Sequence, residues 1–180
     1  LEFRRVLFRS RLNSGNTNRS IPSQATILMA VTENDKAYIA GLFDGEGCIG
    51  YYNANPDPDD TPYCHASLVV TMTDEPVVRW LQTSFNCGHV SITKKDQNRR
   101  TAYQWQVSKK GQVRQVLSTI RPYLKVKAAQ ADAILSLFDE ESGYVQRHGS
   151  VSPEIAAKRL ETVLLLKALK RAVYVEGVET

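Results

Sequence analysis

Cysteine is scarce in this sequence, with Cys48, Cys64 and Cys87 as the only three among 180 residues. They are odd in number and lack the paired spacing of a zinc site, which argues against a disulfide framework and against structural zinc. Long hydrophobic runs are also missing, since no stretch approaches the roughly 20 apolar residues of a membrane-spanning helix. The sequence therefore indicates reduced thiols, a reducing intracellular compartment and no membrane partner.

Net charge carries little information about partners. The formal charge is +4, but residues 1–28 contain five Arg and one Glu and account for the whole excess. This segment has no helical or strand periodicity. Arg4 to Ser10 resembles the translation of a common sequencing-library adapter, and an Arg- and Ser-rich transit peptide is the alternative interpretation. We expect residues 1–28 to be disordered and non-native, and residues 29–180 to form one domain with a helical tail from about residue 143.

The most informative segment runs from Tyr38 to Gly50 and reads Tyr-Ile-Ala-Gly-Leu-Phe-Asp-Gly-Glu-Gly-Cys-Ile-Gly. Its apolar run predicts a helix of about three turns, with Asp35 as the N-cap and with Gly45 and Gly47 ending the helix. Two carboxylates therefore stand at the point where this helix ends.

One face of the predicted helix has almost no side chains, because Ala37, Gly41 and Gly45 recur every four residues. A bare face of this kind allows a second helix backbone to come very close. The flanks are charged and the apolar run is too short to cross a bilayer, so the partner is expected to be another protein helix. A helix that meets its own copy implies a two-fold axis.

The two carboxylates, Asp44 and Glu46, are interleaved with glycines at the end of the helix. Across a two-fold axis, the two copies of Glu46 are expected to lie near each other. Hard oxygen ligands beside a phosphate suit Mg²⁺, and two such ions can promote phosphodiester hydrolysis. The three histidines form no ligand set. The alternative interpretation is that both carboxylates only solvate a turn, where acidic residues and glycines are common.

Residues 39–47, Ile-Ala-Gly-Leu-Phe-Asp-Gly-Glu-Gly, resemble position for position the nine-residue signature of the LAGLIDADG homing endonucleases. The resemblance implies an α+β fold of order αββαββα, with a four-stranded antiparallel DNA-binding sheet and, in this chain, additional C-terminal helices. It also implies a site-specific endonuclease that hydrolyses double-stranded DNA with Mg²⁺, for which Mn²⁺ can substitute. Because the motif occurs once, the chain is expected to act as a homodimer on a long pseudo-palindromic target.

The resemblance also assigns site residues. Residues 121–127, Arg-Pro-Tyr-Leu-Lys-Val-Lys, resemble the family's Pro-aromatic-Leu-Lys-x-Lys segment, whose last Lys, here Lys127, lies beside the scissile phosphates. Asp74 falls at the catalytic position where active relatives often carry Gln, and Val78 falls where a basic residue often helps. Glu46 and Gly45 are the implied metal ligands. The implied dimer interface consists of Ala37, Ala40, Gly41, Asp44 and Gly45.

The rest of the chain alternates between predicted strands and helices. Two hairpins are predicted, one over residues 48–54 and 65–73 and one over 88–95 and 100–109. Asp74 is the expected N-cap of the helix between them, with Pro76 in its first turn. A short helix stops at Pro122, and a longer one covers 128–140. A last helix runs from the cap at Ser152 to about residue 172, and its predicted core residues are Leu160, Val163, Leu164, Leu166 and Leu169.

Polar and apolar residues alternate along these strands, which predicts a sheet with one buried face and one polar face. Polar side chains on such a face can read base edges in a major groove, although an antiparallel sheet also turns a polar face to water. The motif upstream favours DNA as the partner. The predicted DNA contacts are Tyr52, His65, Ser67, Thr71, His89, Ser91, Thr93, Lys95, Arg100, Gln104 and Gln106.

A one-sided basic stretch lies between Lys94 and Lys127, where ten Lys and Arg residues face a single acid, Asp96. Such an excess is interpreted as a footprint for the phosphate backbone, with a solvated charged surface as the alternative.

Two other functional classes stay open at this stage. One is an RNA-binding maturase that uses the same fold to assist intron splicing, and the other is a DNA-binding regulator without cleavage activity. The presence of Glu46 argues against the regulator.

Overall fold

The computed structural model describes residues 31–55, 62–93, 100–142 and 151–176. The predicted leader over 1–28, the tips of both hairpins with Lys95, and residues 143–150 lie outside the described residues. The helices and strands are α1 (Glu33–Gly45), β1 (Gly47–Asn53), β2 (Cys64–Met72), α2 (Glu75–Phe85), β3 (His89–Thr93), β4 (Ala102–Val107), α3 (Lys110–Ile120), α4 (Ala128–Ser142) and α5 (Pro153–Glu176), with a short 3-10 helix at Arg121–Tyr123.

The four strands form one antiparallel sheet in the order β1-β2-β4-β3. Strands β2 and β4 pair at its centre, with Leu68 opposite Val107 and Met72 opposite Tyr103. The predicted αββαββα order, with a four-stranded antiparallel sheet and additional C-terminal helices, is confirmed.

One face of the sheet carries the core. Leu68, Trp105 and Val107 are fully buried there. The Trp105 Nε1–H donates to the Cys87 carbonyl at 2.9 Å, and the Trp105 ring stacks on Phe85 with 5.8 Å between centroids. Because successive side chains of a strand point to opposite faces, the residues between these positions lie on the other side of the sheet.

Thr32, and not Asp35, is the N-cap of α1. The Thr32 hydroxyl accepts from the Asp35 N–H at 3.2 Å, and the Asp35 carboxylate accepts from the Thr32 N–H at 3.1 Å. This reciprocal arrangement usually has Glu or Gln at the position that Asp35 occupies, so the sequence pattern concealed it. Asp74 does cap α2, because its carboxylate accepts from the Val77 N–H at 3.1 Å.

Helix α5 packs against α4 and the outer strand β1. Ile155, Val163 and Leu166 are buried, whereas Leu160 and Leu164 are 37% and 65% exposed. The predicted core of α5 is therefore wrong at these last two positions. The helix is apolar on more than one stripe, so only its neighbours decide which stripe is covered.

A buried carboxylate joins three helices. The Glu141 side chain at the end of α4 is only 7% exposed and accepts hydrogen bonds from Lys110 of α3 and, at 2.7 Å, from Arg159 of α5. Burial raises the pKa of Glu141, but the hydrogen bonds from these two cations outweigh it and hold the pKa below its usual value.

Glu141→Gln is expected to lower the free energy of unfolding at neutral pH by about 3 kcal/mol, because it leaves the cation of Arg159 buried and unpaired. A carboxyl whose folded pKa is depressed stabilises the fold above its unfolded pKa, and the contribution is lost as the pH falls through the folded value. The difference between wild type and variant should therefore be constant near pH 7 and shrink below about pH 4. Urea denaturation across this pH range measures it.

The neighbouring Glu140 provides the matched control. Its carboxylate pairs with Lys158 on the surface, where both side chains are more than 40% exposed. Glu140→Gln should therefore cost no more than about 1 kcal/mol. Equal losses for the two variants, or a Glu141 effect that persists unchanged at acid pH, would contradict the assigned role.

Candidate active site at the end of the first helix

Glu46 stands directly after α1, in the turn that leads into β1. Its N–H donates to the Leu42 carbonyl at 2.8 Å and closes the helix, while its side chain is exposed. A Cβ added at Gly47 would lie 2.6 Å from the Cα of Phe43, so this tight passage from helix to strand requires glycine. The signature thereby fixes an exposed carboxylate on a rigid turn.

The carboxylate of Asp44 holds the segment that follows the 3-10 helix. It accepts from the Lys125 N–H at 2.7 Å and from the Lys127 N–H at 2.9 Å. Asp44 was predicted at a dimer interface, but its carboxylate is used within its own chain. No local sequence pattern predicts this contact, because the partners are more than 80 residues apart.

The amine of Lys127 lies against the C-terminal end of α1. It donates to the Phe43 carbonyl at 2.7 Å and to the Asp44 carbonyl at 2.6 Å. The negative end of the helix dipole favours a cation at this position. Burial lowers the pKa of Lys127 overall, although the charges of Asp44, Cys48 and Glu46 act in the opposite direction. Lys127 therefore lies at the same end of α1 as Glu46.

The bare face of α1 is exposed along its length. Ala37, Gly41 and Gly45 are all exposed, and a Cβ added at either glycine would meet nothing within 4 Å. Ala40 requires a correction, because it is fully buried in the core of the chain and its side chain cannot reach a partner helix. Position 40 lies on the inner side of α1, which the spacing of the other three residues does not include.

Several of the predicted DNA-contacting residues lie in rows across the polar face of the sheet. Thr71, Gln104 and Ser91 are direct partners across β2, β4 and β3, and the next row pairs Gln106 with His89. Residues directly opposite in an antiparallel pair project from the same face. The predicted alternation of faces is therefore confirmed for these strands. Tyr52 and His65 are paired near the outer edge, and Thr93 ends β3.

Ser67 requires a correction as a direct DNA contact. Its side chain is covered, with the residue only 5% exposed, and its hydroxyl accepts from the Gln106 amide at 3.3 Å. The same amide reaches the Ser108 hydroxyl at 3.3 Å. Ser67 thus orients Gln106 instead of reaching into a groove itself. His65 is half-buried beside the rings of Tyr52 and Tyr63.

The basic stretch between Lys94 and Lys127 is not one continuous positive surface. Three of its members form ion pairs with carboxylates of α4: Lys110 with Glu141, Arg114 with Asp139 and Arg121 with Asp132. The charges of these three residues are therefore paired within the chain, and their contact with DNA phosphate stays a prediction. Arg100, Lys109 and Lys125 are exposed, and Lys94, Lys95 and Arg99 lie outside the described residues.

Asp74, a predicted catalytic residue, and Val78, which stands where relatives often carry a basic residue, have different surroundings. Asp74 is exposed at the start of α2, where its carboxylate caps the helix, and a direct role in chemistry stays a prediction. Val78 is fully buried in the core and offers no charge to a site. Sequence reasoning missed Lys170 of α5, whose charge acts on Lys127 although it lies far along the chain. No local pattern marks it.

The arrangement suits a metal that needs few protein ligands. Among the described residues, no group of three or more His, Cys, Asp and Glu side chains is placed to hold a metal by itself. An exposed carboxylate at Glu46, next to the backbone of Gly45, fits Mg²⁺, which is usually bound by one or two carboxylates with waters and phosphates.

None of the described helices is long and apolar enough to cross a membrane.

Solved structures share the fold described above. The chain is similar to the homing endonuclease I-TnaI, with a TM-score of 0.56 at 19% identity over 78% of this chain and 96% of that one. It is similar to the archaeal intron-encoded homing endonuclease I-Vdi141I complexed with DNA, with a TM-score of 0.60 at 13% identity over 76% and 84%. It is also similar to I-CvuI in complex with the I-CreI target, with a TM-score of 0.52 at 18% identity over 73% of this chain and 95% of that one.

These likenesses define the fold class as that of the homing endonucleases. The sequence model of the LAGLIDADG endonuclease family matches residues 39–135, more than half of the chain. The protein belongs to the LAGLIDADG endonuclease family. A comparison with curated proteins found no match.

Proposed function

We propose that this protein is a site-specific, Mg²⁺-dependent endonuclease that cuts both strands of a long pseudo-palindromic DNA target as a homodimer. The observation that carries the proposal is the exposed carboxylate of Glu46, fixed at the end of a bare helix face where the Lys127 amine also contacts the Phe43 and Asp44 carbonyls. I-Vdi141I and I-CvuI, which have the same fold, were solved as complexes with DNA.

The homodimer follows from the shape of α1. Open space above Gly41 and Gly45 lets a second α1 approach backbone to backbone. A two-fold axis along this contact puts both copies of Glu46 at the same end of the helix pair, one for each DNA strand. Because the two subunits are identical, each half of the target carries a related sequence.

The oxygen atoms available at this site are suitable ligands for Mg²⁺. Glu46 and the adjacent Gly45 are the residues that would hold it, and phosphate and water would complete its coordination. When bound, Mg²⁺ supplies positive charge that activates an attacking water and stabilises the leaving oxygen. Structures of I-CvuI with DNA were obtained in the presence of Mg and of Ca, which agrees with the use of a divalent cation.

Lys127 stabilises charge on the phosphate. An ammonium group has three donors, and the Phe43 and Asp44 carbonyls take two of them. The third is available to a phosphate oxygen that gains negative charge as the bond breaks. Asp44 holds this lysine in place by accepting from its backbone N–H, so the geometry is set before DNA binds.

Cleavage of a plasmid library with randomised target sites tests the proposal. The wild-type protein with Mg²⁺ should convert a small subset of the plasmids to the linear form, and EDTA should stop the reaction. Sequencing of the cut ends should return one long site with related halves. Tight binding to structured intron RNA without any DNA cleavage would overturn the proposal in favour of a maturase.

Gln104→Ala should relax base preference at one or two positions in each half-site. Gln104 lies in the middle of the row formed with Thr71 and Ser91, and a lost bidentate contact to a base costs about 1 to 3 kcal/mol. Binding to a panel of single-base target variants measures the change. Gln115→Ala on the exposed side of α3 is the control and should leave the profile intact.

Lys109→Ala is expected to differ from Gln104→Ala in kind. An exposed lysine that reaches only phosphate should weaken binding to all sequences alike and reduce its salt dependence. Lys110 is unsuitable for this comparison, because it pairs with Glu141. A base-preference profile that is identical for wild type and Gln104→Ala would show that this part of the sheet does not read sequence.

A further inference from the structure

Lys170 of the last helix reaches the first strand of the sheet. Its amine lies 3.4 Å from the Tyr52 hydroxyl and 3.5 Å from the Cys48 sulfur, and 5.3 Å from the centre of the Tyr52 ring. Cys48 follows Glu46 by two residues. Helix α5, which lies outside the family signature, therefore places a cation next to the candidate active site.

The side chain of Tyr52 lies back along β1 to make this contact. A Cβ at Gly50 would be 2.3 Å from the Tyr52 hydroxyl, so glycine is what allows the ring to cross that position. The hydroxyl comes within 3.4 Å of the Cys48 sulfur. Cys48, Gly50 and Tyr52 alternate with the buried Ile49 and Tyr51, so they belong to the polar face of the sheet.

No acid in the described part of the chain pairs with Lys170. Among the residues that the structure describes, no carboxylate lies within 4.0 Å of its amine, whereas Lys158 and Arg159 on the same helix pair with Glu140 and Glu141. A thiol and a hydroxyl hold the amine in place without cancelling its charge. Burial lowers the pKa of Lys127, and the positive charge of Lys170 acts in the same direction.

We propose that Lys170 is a further DNA contact of this site and binds a backbone phosphate next to the one that is cut. This inference rests on the proposed endonuclease function and adds to it that α5 forms one wall of the cleavage site. The cation is preorganised by Cys48 and Tyr52, and a DNA phosphate supplies a negative charge that none of the described carboxylates provides within 4.0 Å.

Salt-dependent binding to the cleavage target, measured in Ca²⁺ so that no cutting is required, tests the proposal. Each lost phosphate contact reduces the slope of log K against log salt by about 0.9, so Lys170→Gln should reduce the slope of a dimer by about 2. Affinity should fall about five- to tenfold at moderate salt for every sequence alike. Lys170→Arg keeps the charge and should bind like wild type.

Lys167→Gln is the matched control, because it removes the same charge from an exposed position one turn earlier on α5. A slope change for Lys170→Gln that is no larger than that of Lys167→Gln would overturn the proposal. Wild type and Lys167→Gln that still cut the target would then leave the endonuclease function intact. A wild type that neither binds nor cuts any DNA would instead refute the proposed function.

A footprint on the unmutated protein covers the case in which Lys170→Gln does not fold. Acetylation of lysines followed by mass spectrometry should show that target DNA protects Lys170 and leaves Lys167 reactive. Equal reactivity of Lys170 with and without bound DNA would contradict the contact independently of any variant.

Discussion

Replacing Glu46 with Gln is expected to abolish cleavage while leaving target affinity within about tenfold, roughly 1.4 kcal/mol. The substitution keeps the size of the side chain but removes the negative charge that would hold Mg²⁺ beside the scissile phosphate. The side chain is exposed and Glu46 closes α1 through its backbone, so the fold should not change. Plasmid linearisation in Mg²⁺ and a binding assay on the same target measure the two quantities separately.

Glu161→Gln on the exposed surface of α5 controls for the loss of one negative charge. It should cut at the wild-type rate. Near-normal cleavage by Glu46→Gln in Mg²⁺ would remove this residue from the chemistry, and a parallel loss of binding would show that the variant had damaged the DNA surface instead.

Gly41→Leu is expected to weaken the dimer severely. The position is exposed in the single chain, but in a helix pair it faces a second backbone, and overpacking costs about 1 to 3 kcal/mol per chain. Two chains together lose about 2 to 6 kcal/mol, which raises the dimer Kd at least about thirtyfold. Sedimentation equilibrium measures this Kd, and cleavage should fall with the dimer population.

Gly111→Leu separates this effect from a general response to leucine. Gly111 is also an exposed helical glycine with nothing within 4 Å of an added Cβ, but it lies on α3. Both variants should improve helix propensity by about 0.8 kcal/mol and leave the folded chain stable. An unchanged dimer in Gly41→Leu, or a wild type that binds DNA as a monomer, would refute the paired-helix arrangement.

Features that depend on neighbours in the chain were predictable. The sheet faces followed from the period of two along β2 and β4, where Trp105 and Val107 are buried and Gln104 and Gln106 lie opposite. The cap of α2 followed from Asp74 before Pro76, because a short acidic side chain before a helix satisfies its first amides. The position of Glu46 directly after α1 followed from the glycines on either side of it.

Features that depend on distant residues were decided by the tertiary structure. The basic stretch looked continuous because its partners in α4 come 11 to 31 residues later along the chain than the cations they neutralise. The positions of α4 and β1 determine which side of α5 is buried, and Leu160 and Leu164 lie on the sides that remain exposed. Ala40 lies on the side of α1 that the core covers, and it is fully buried there.

The sequence by itself determined the family signature, the order of the elements and the position of Glu46, because each is written in contiguous residues whose spacing fixes a helix, a turn or a strand face. Only the tertiary structure decided how Asp44 holds Lys127 and how Lys170 comes to lie beside Cys48. Those contacts join residues 83 and 122 positions apart, where no local spacing operates and chain folding alone brings the charges together.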